Sequence, residues 1–374
     1  MKNTNLESKK ILIMAGGTGG HVFPALAVAR LFHEHGASIS WLGTKKGIES
    51  RIIPAEEFID LHYLSVAGIR GQGLKRLLVA PFKLILACWQ AANTLREVKP
   101  HLVLGMGGFA SGPGGLMAWL MGYPLVIHEQ NAVPGLTNRV LSKISQRVFQ
   151  AFPGTFSNKV TDKFRVTGNP VRKEIEMLEN PETRFQKRAL QKELNILVLG
   201  GSQGALALNE IVPRALAEVS KVSLIDAKPL NIWHQAGRNK DEMTITLYQT
   251  LNVEAKVEPF ISDMAQAYSW ADLVIARSGA LTVSEIQQAG VGAIFVPYPA
   301  AVDDHQTLNA EFLQQEDAAI VVQQKELNAD KLVCLLKPLL NKEKLTSMAL
   351  AAKKSAPANT TETVVNACLE VIHA

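Results

Sequence analysis

At 374 residues the chain is long enough for two domains of about 150 residues each. Hydrophobic residues make up 47% and charged residues 20%, globular proportions that exclude disorder, collagen and coiled coil. The formal net charge of +5 comes without a Lys/Arg-dense run or interleaved aromatics. No nucleic acid is therefore expected; anionic phosphates or an anionic membrane face suit the charge better.

The N-terminus, MKNTNLESKK, runs directly into an apolar strand at 11–14 that is too short for a signal-peptide core. A glycine-rich turn, AGGTGGH, follows. The next helix has Pro24 near its first turn and is filled by Ala25, Leu26, Val28, Ala29, Leu31 and Phe32. A strand at 39–42 closes a β-loop-α-β unit of the doubly wound type. Apolar stretches at 77–89 and 116–127 are interrupted by Pro81, Lys83 and Pro124, short of the roughly 20 residues that span a bilayer. A second glycine-rich turn, GMGGFASGPGG, follows a strand at 102–104. Polar clusters HEQN (128–131) and GNPVR (168–172) each sit after a strand, where open α/β sheets keep their chemistry.

Near residue 195 the opening pattern recurs: an apolar strand at 195–199, the turn GGSQG, then a helix beginning ALALNEIVPRAL. The charge-mixed stretch between the halves suits a linker. The expected fold is α/β, with two Rossmann-like doubly wound domains facing across a cleft, the GT-B plan. The boundaries expected are 1–173, a linker at 174–194, 195–350, and a last helix at 351–374 that can fold back on the first domain. The three cysteines, Cys88, Cys334 and Cys368, are scattered and odd in number, which argues for a reducing compartment and against a disulfide framework or a zinc site.

Glycine loops lack Cβ atoms, so their N–H groups can approach phosphate oxygens, and the following helix adds its positive end. None of the three is GxGxxG or a P-loop. Each equally well allows tight strand-to-helix contact, but three together suggest two separate pyrophosphates. In ARSGALTVSEIQQAG (276–290), Ala280, Leu281 and Thr282 would offer N–H groups to a diphosphate, with Val283 and Ser284 beside them as further donor-binding candidates. Glu285 could reach ribose hydroxyls, or could close a capping box with Thr282. Gly290 is a natural residue just past a helix end. His21, at a helix N-terminus where the dipole favours neutral imidazole, is either a base or a residue hydrogen-bonded to its loop.

Together these residues resemble glycosyltransferase family 28, which makes lipid II from lipid I in bacterial wall synthesis. The resemblance runs through MAGGTGGHVFPALAVA, WLGT, GMGGFASGPGG, HEQNAVPGLTNR, GNPVR, GGSQGA, ISDMAQAYSWADLVIARSGALTVSEI and PAAVDDHQTLNA, in the family's order. It implies an inverting transfer of N-acetylglucosamine from UDP-N-acetylglucosamine, with His21 as base. Ser202 and the turn at 280–282 would hold the donor diphosphate, Ile261 would meet uracil, and Glu285 the ribose. Asn131, Arg172 and Gln306 would contact the sugar and its phosphate, with Thr18, Gly19 and Gly20 also on the donor side. Gly16, Gly17, Thr18, Gly19 and Gly20, with Gly105, Met106, Gly107 and Gly108, would hold the pyrophosphate of a polyprenyl-linked acceptor, lipid I. No cofactor or bound metal is expected. An apolar helix edged with cations (Leu74, Lys75, Leu78, Phe82, Trp89) would seat the protein on anionic lipid at the cytoplasmic face of the inner membrane, unless that helix is buried. Cell-wall synthesis and division proteins are further implied partners. A UDP-N-acetylglucosamine 2-epimerase, or a non-catalytic nucleotide-sugar binder or membrane scaffold, is the alternative.

Overall fold

Short apolar runs, buried on both faces, form the frame of the protein, as expected of parallel sheets covered by helices on either side. The computed structural model describes residues 6–65, 74–156, 161–188, 191, 193–201, 203–226 and 229–373; for 74–79, 222–226 and 302 it describes the backbone alone. The chain divides into two units, Met1–Arg172 with Ala358–Ala374, and Lys173–Pro357.

In the first unit, strands β1 (Lys10–Met14), β2 (Ser38–Thr44), β3 (Ile59–Leu64), β4 (Leu102–Gly105), β5 (Leu125–Glu129), β6 (Arg147–Gln150) and β7 (Phe164–Val166) lie in the order β3-β2-β1-β4-β5-β6-β7. All are parallel, and β1 is central: Ile13 sits opposite Trp41 on one side and Leu104 on the other. Strand order reverses between β1 and β4, so the loops leaving these two strands flank the switch point where open α/β sheets bind ligands. The helix Thr360–Ile372 belongs to this unit. It packs on the helix Gly19–Glu34 and places Val364, Val365 and Cys368 in the same core as Val28 and Phe32.

The second unit repeats the plan with β8 (Leu194–Leu199), β9 (Leu230–Gln235), β10 (Lys256–Glu258), β11 (Leu273–Ala276), β12 (Gly292–Phe295) and β13 (Ala319–Val321), ordered β10-β9-β8-β11-β12-β13. Its switch point lies between β8 and β11, the strands that lead into GGSQG and RSG. The stretch at 174–194, whose charge mix suggests a solvated linker, is built into this unit. Phe185 joins its core, and the buried Arg184 guanidinium donates to the carbonyls of Tyr268 (3.2 Å), Gly290 (2.6 Å) and Ala289. Those three acceptors offset the cost of burying the charge.

Candidate active site

The first glycine loop is held from two sides. Gly17 has a φ of +91°, and its N–H donates to the Glu49 carboxylate at 2.9 Å. On the other flank a Cβ at Gly108 would fall 2.2 Å from the Gly16 carbonyl oxygen, so the loops after β1 and β4 meet backbone to backbone. Only glycine permits this at Gly108, which is also left-handed (φ +82°). Ser111 ties the second loop down: its hydroxyl accepts from Gly107 N–H at 3.1 Å and lies 2.9 Å from the Met14 carbonyl oxygen and 2.8 Å from that of Gly107.

His21 rests on this pair of loops. A Cβ at Gly107 would meet the imidazole at 2.6 Å, and Nδ1 makes a long contact, 3.5 Å, with the Thr18 hydroxyl. The helix begins at Gly19, so GGH forms its first turn rather than part of the preceding loop, and Pro24 lies inside the helix rather than in that turn. Its leading N–H groups therefore belong to Gly19 and Gly20, at the positive end of the dipole, while the His21 N–H donates to the Thr18 carbonyl at 3.2 Å.

The polar clusters buttress these loops. Gln130 donates to the Met106 carbonyl (2.9 Å), and Asn169 donates to the Gln130 carbonyl (3.0 Å). His128 Nε2 lies 2.9 Å from the Gly168 carbonyl and donates to it, since a carbonyl can only accept, and burial lowers the imidazole's pKa to about 4. The Glu129 carboxylate accepts four N–H groups: the Asn131 backbone and side chain, Gly135 N, and Asn138 Nδ2, at 2.8–3.1 Å. It is therefore a loop anchor. Asn131 is held by that anchor, and the Arg172 guanidinium lies over the Phe23 ring at 5.4 Å, one aromatic ring from Gly19.

In the second unit, Gly204 and Gly237 repeat the backbone contact of the first: a Cβ at Gly204 would meet the Ala236 carbonyl oxygen at 2.1 Å. Ser202 lies outside the described residues. The helix Ala280–Ala289 starts after Gly279 with no side-chain cap, presenting the N–H groups of Ala280, Leu281 and Thr282, and ends at the left-handed Gly290. Thr282 is thus inside the first turn, which removes the capping-box reading of Thr282 and Glu285. The buried Glu285 carboxylate instead accepts from the Tyr268 hydroxyl at 3.1 Å. Val283 and Ser284 are buried in the same helix. The Ile261 N–H donates to Gln235 Oε1 at 3.0 Å, so the backbone group it can offer a base is its carbonyl. Gln306 accepts from Tyr298 N–H at 2.9 Å and so anchors the turn after β12. Glu49, Ser111, Gln235 and Tyr268 were not singled out by sequence. Each acts through a fold contact that its local motif does not announce.

Away from the loops, the first unit carries a solvent-facing apolar surface. On the helix Leu74–Val98, Phe82 (73% exposed), Ile85 and Trp89 face outward, with Lys83 beside them; the side chains of Leu74, Lys75 and Leu78 lie outside the described residues. The surface extends, unanticipated from sequence, over the adjoining helices Ser111–Leu120 (Leu116, Trp119, Leu120) and Leu136–Ile144 (Leu136, Val140), edged by Arg139 and Lys143. Among the described residues no helix is long and apolar enough to cross a membrane, and no group of three or more His, Cys, Asp or Glu could hold a metal ion.

Two Rossmann-like units, each with glycine loops at its switch point, define the GT-B fold. Residues 11–150 match the N-terminal domain of glycosyltransferase family 28 and residues 195–364 its C-terminal domain. The chain is 50% identical over 369 residues to the UDP-N-acetylglucosamine–N-acetylmuramyl-(pentapeptide) pyrophosphoryl-undecaprenol N-acetylglucosamine transferase of Cellvibrio japonicus, covering 98% of this chain and 100% of that one. It is 49% identical to the protein of the same name from Pseudomonas fluorescens SBW25, over 97% of this chain and 99% of that one. The crystal structure of Acinetobacter baumannii MurG superposes with a TM-score of 0.81 at 43% identity, covering 97% of this chain and 99% of that one. The chain belongs to glycosyltransferase family 28.

Proposed function

We infer that this protein transfers N-acetylglucosamine from UDP-N-acetylglucosamine to lipid I, undecaprenyl-pyrophosphoryl-N-acetylmuramoyl-pentapeptide, forming lipid II and UDP in peptidoglycan synthesis. The observation that carries the reading is His21, seated on Gly107 at the first turn of the helix that follows the first glycine loop. In this reading the loops 16–20 and 105–108 hold the acceptor pyrophosphate. An acceptor sugar hydroxyl attacks the anomeric carbon of the donor and gives its proton to His21. The bond from that carbon to the UDP oxygen breaks on the opposite face, which inverts the configuration.

Departure of UDP concentrates charge on its diphosphate. The leading N–H groups of Ala280, Leu281 and Thr282 suit that charge, as does the positive end of their helix, so we assign the step no metal. Glu285 is taken as the partner of the ribose hydroxyls, the Ile261 carbonyl as a partner of uracil, and Ser202, Asn131, Arg172 and Gln306 as donor contacts. The three-helix apolar surface with its basic edge is assigned to the cytoplasmic face of the inner membrane, where a polyprenyl acceptor resides. Supply of lipid II would set the protein beside the cell-wall synthesis and division machinery.

UDP release, measured with and without a soluble lipid I analogue, tests the reading. Release that requires the analogue supports transfer. UDP release or 2-epimerisation with donor alone indicates the epimerase class, and binding of UDP-N-acetylglucosamine without turnover in either case indicates a binder.

A further inference from the structure

Glu49 is a fully buried carboxylate placed directly behind a loop assigned to an anion. Desolvating a carboxylate is costly, and beside a pyrophosphate its charge would oppose binding, so its place needs a physical reason. An acidic residue after the second strand of a Rossmann unit commonly takes ribose hydroxyls. Here that role is closed, because the carboxylate is turned inward: Oε2 accepts from Gly17 N–H at 2.9 Å, and Oε1 accepts from Thr44 N–H and the Thr44 hydroxyl, both at 2.8 Å.

The chain around it is cleared to admit it. A Cβ at Gly16 would lie 2.4 Å from Oε1, one at Gly43 would lie 2.7 Å from Cγ, and one at Gly47 would lie 1.9 Å from Oε2. Three glycines, Gly16 in the loop after β1, Gly43 in β2 and Gly47 in the loop after β2, thus make room for one side chain. The Gly17 amide is drawn to the rear, while the N–H groups of Gly19 and Gly20 lead the helix. The Gly16 carbonyl is pressed on Gly108, and the neighbouring Gly107 supports the His21 ring, so the carboxylate indexes both loops and the imidazole. We propose that Glu49 is a positioning residue for acceptor transfer, setting the pyrophosphate loop and, through it, His21.

This rests on the assignment of loop 16–20 to the acceptor pyrophosphate. Glu49→Gln keeps the volume but sets a side-chain NH₂ against the Gly17 N–H or the Thr44 donors. Steady-state kinetics with a soluble lipid I analogue, alongside UDP affinity by calorimetry, should show kcat/KM for the acceptor falling by about 10–10²-fold, the scale of a misplacement near 1 Å, with UDP affinity unchanged. Gly47→Ala leaves Glu49 in place but drives its carboxylate away, and should give the same split. In a Glu49→Ala background it should add nothing. If Glu49→Gln does not fold, the Gly47→Ala pair decides. Unaltered acceptor kinetics in Glu49→Gln, or a Gly47→Ala cost that persists without Glu49, would overturn the proposal. Thr18→Val separates the layers: if it leaves acceptor KM and kcat untouched, the loop assignment itself fails. If it alters them while Glu49→Gln does not, only the role of Glu49 is lost.

Discussion

The Tyr268 hydroxyl donates to the Glu285 carboxylate across 3.1 Å, and both side chains are buried. Tyr268 comes from the helix Met264–Trp270, whose own Tyr268 carbonyl is gripped by Arg184. The carboxylate assigned to the ribose is therefore oriented from behind. Tyr268→Phe should weaken UDP binding by about 1.5–3 kcal/mol, the worth of a hydrogen bond to a charged group. Glu285→Ala should cost more. Calorimetry with UDP checks both, and a donor analogue lacking ribose hydroxyls should show no penalty from either change.

Phe82, Trp119 and Leu136 stand on three neighbouring helices and are exposed. Replacing all three by Ser should release the protein from anionic vesicles, since each large apolar side chain buried in lipid is worth about 2 kcal/mol. Lys83→Gln should weaken vesicle binding by about 1 kcal/mol. Flotation measures the binding, and turnover of a soluble acceptor analogue should stay near wild type. Loss of that turnover would mark the surface as part of the fold rather than a membrane seat.

Glu129 accepts four N–H groups, which leaves its oxygens little capacity to take a substrate proton. Glu129→Gln should lower stability by about 1–3 kcal/mol through donors left unpaired. The acidic limb of the kcat profile should survive in this variant. Thermal melts and a pH series on the purified protein measure the two effects.

Burial lowers the pKa of His128 to about 4 and of His234 to about 3, below the ordinary 6.5. The unfolded chain therefore binds protons that the folded chain refuses, and stability falls as pH drops below about 6.5. Each histidine should contribute a slope of about 1.4 kcal/mol per pH unit until its folded pKa is reached. Denaturant melts between pH 7 and 5 should show this fall. His234→Gln, which can still hydrogen-bond Asn209 or Tyr248, should flatten it, and an unchanged slope would remove His234 from the account.

The two-unit plan was legible because strands buried on both faces appear as unbroken apolar runs, such as LVLG in β4 and LVIA in β11. The glycine turns were legible for a related reason: Gly17, Gly108 and Gly201 take left-handed φ values that other residues avoid. Their partners were not. Glu49 sits in TKKGIES, a polar run that reads as solvated, and only the folded loop turns it inward. Arg184 hides the same way in a charge-mixed segment, because its three carbonyl partners lie far along the chain. The first helix starts earlier than its sequence predicts, since glycines in GGH signal a loop even when they lead a helical turn. The capping box at Thr282 failed because the pattern fixes spacing and not the position of the cap.

The central claim is that His21 removes the acceptor's proton, and the pH profile of kcat in His21→Ala tests it most directly. Loss of a general base should lower kcat by roughly 10²–10⁴-fold while UDP affinity stays constant, and the acidic limb of the profile should vanish. His21→Asn, which can still hydrogen-bond the loop, should not restore the rate. An acidic limb that persists unchanged in His21→Ala, or near-normal kcat in His21→Asn, would contradict the account and make the histidine a structural support of its loop.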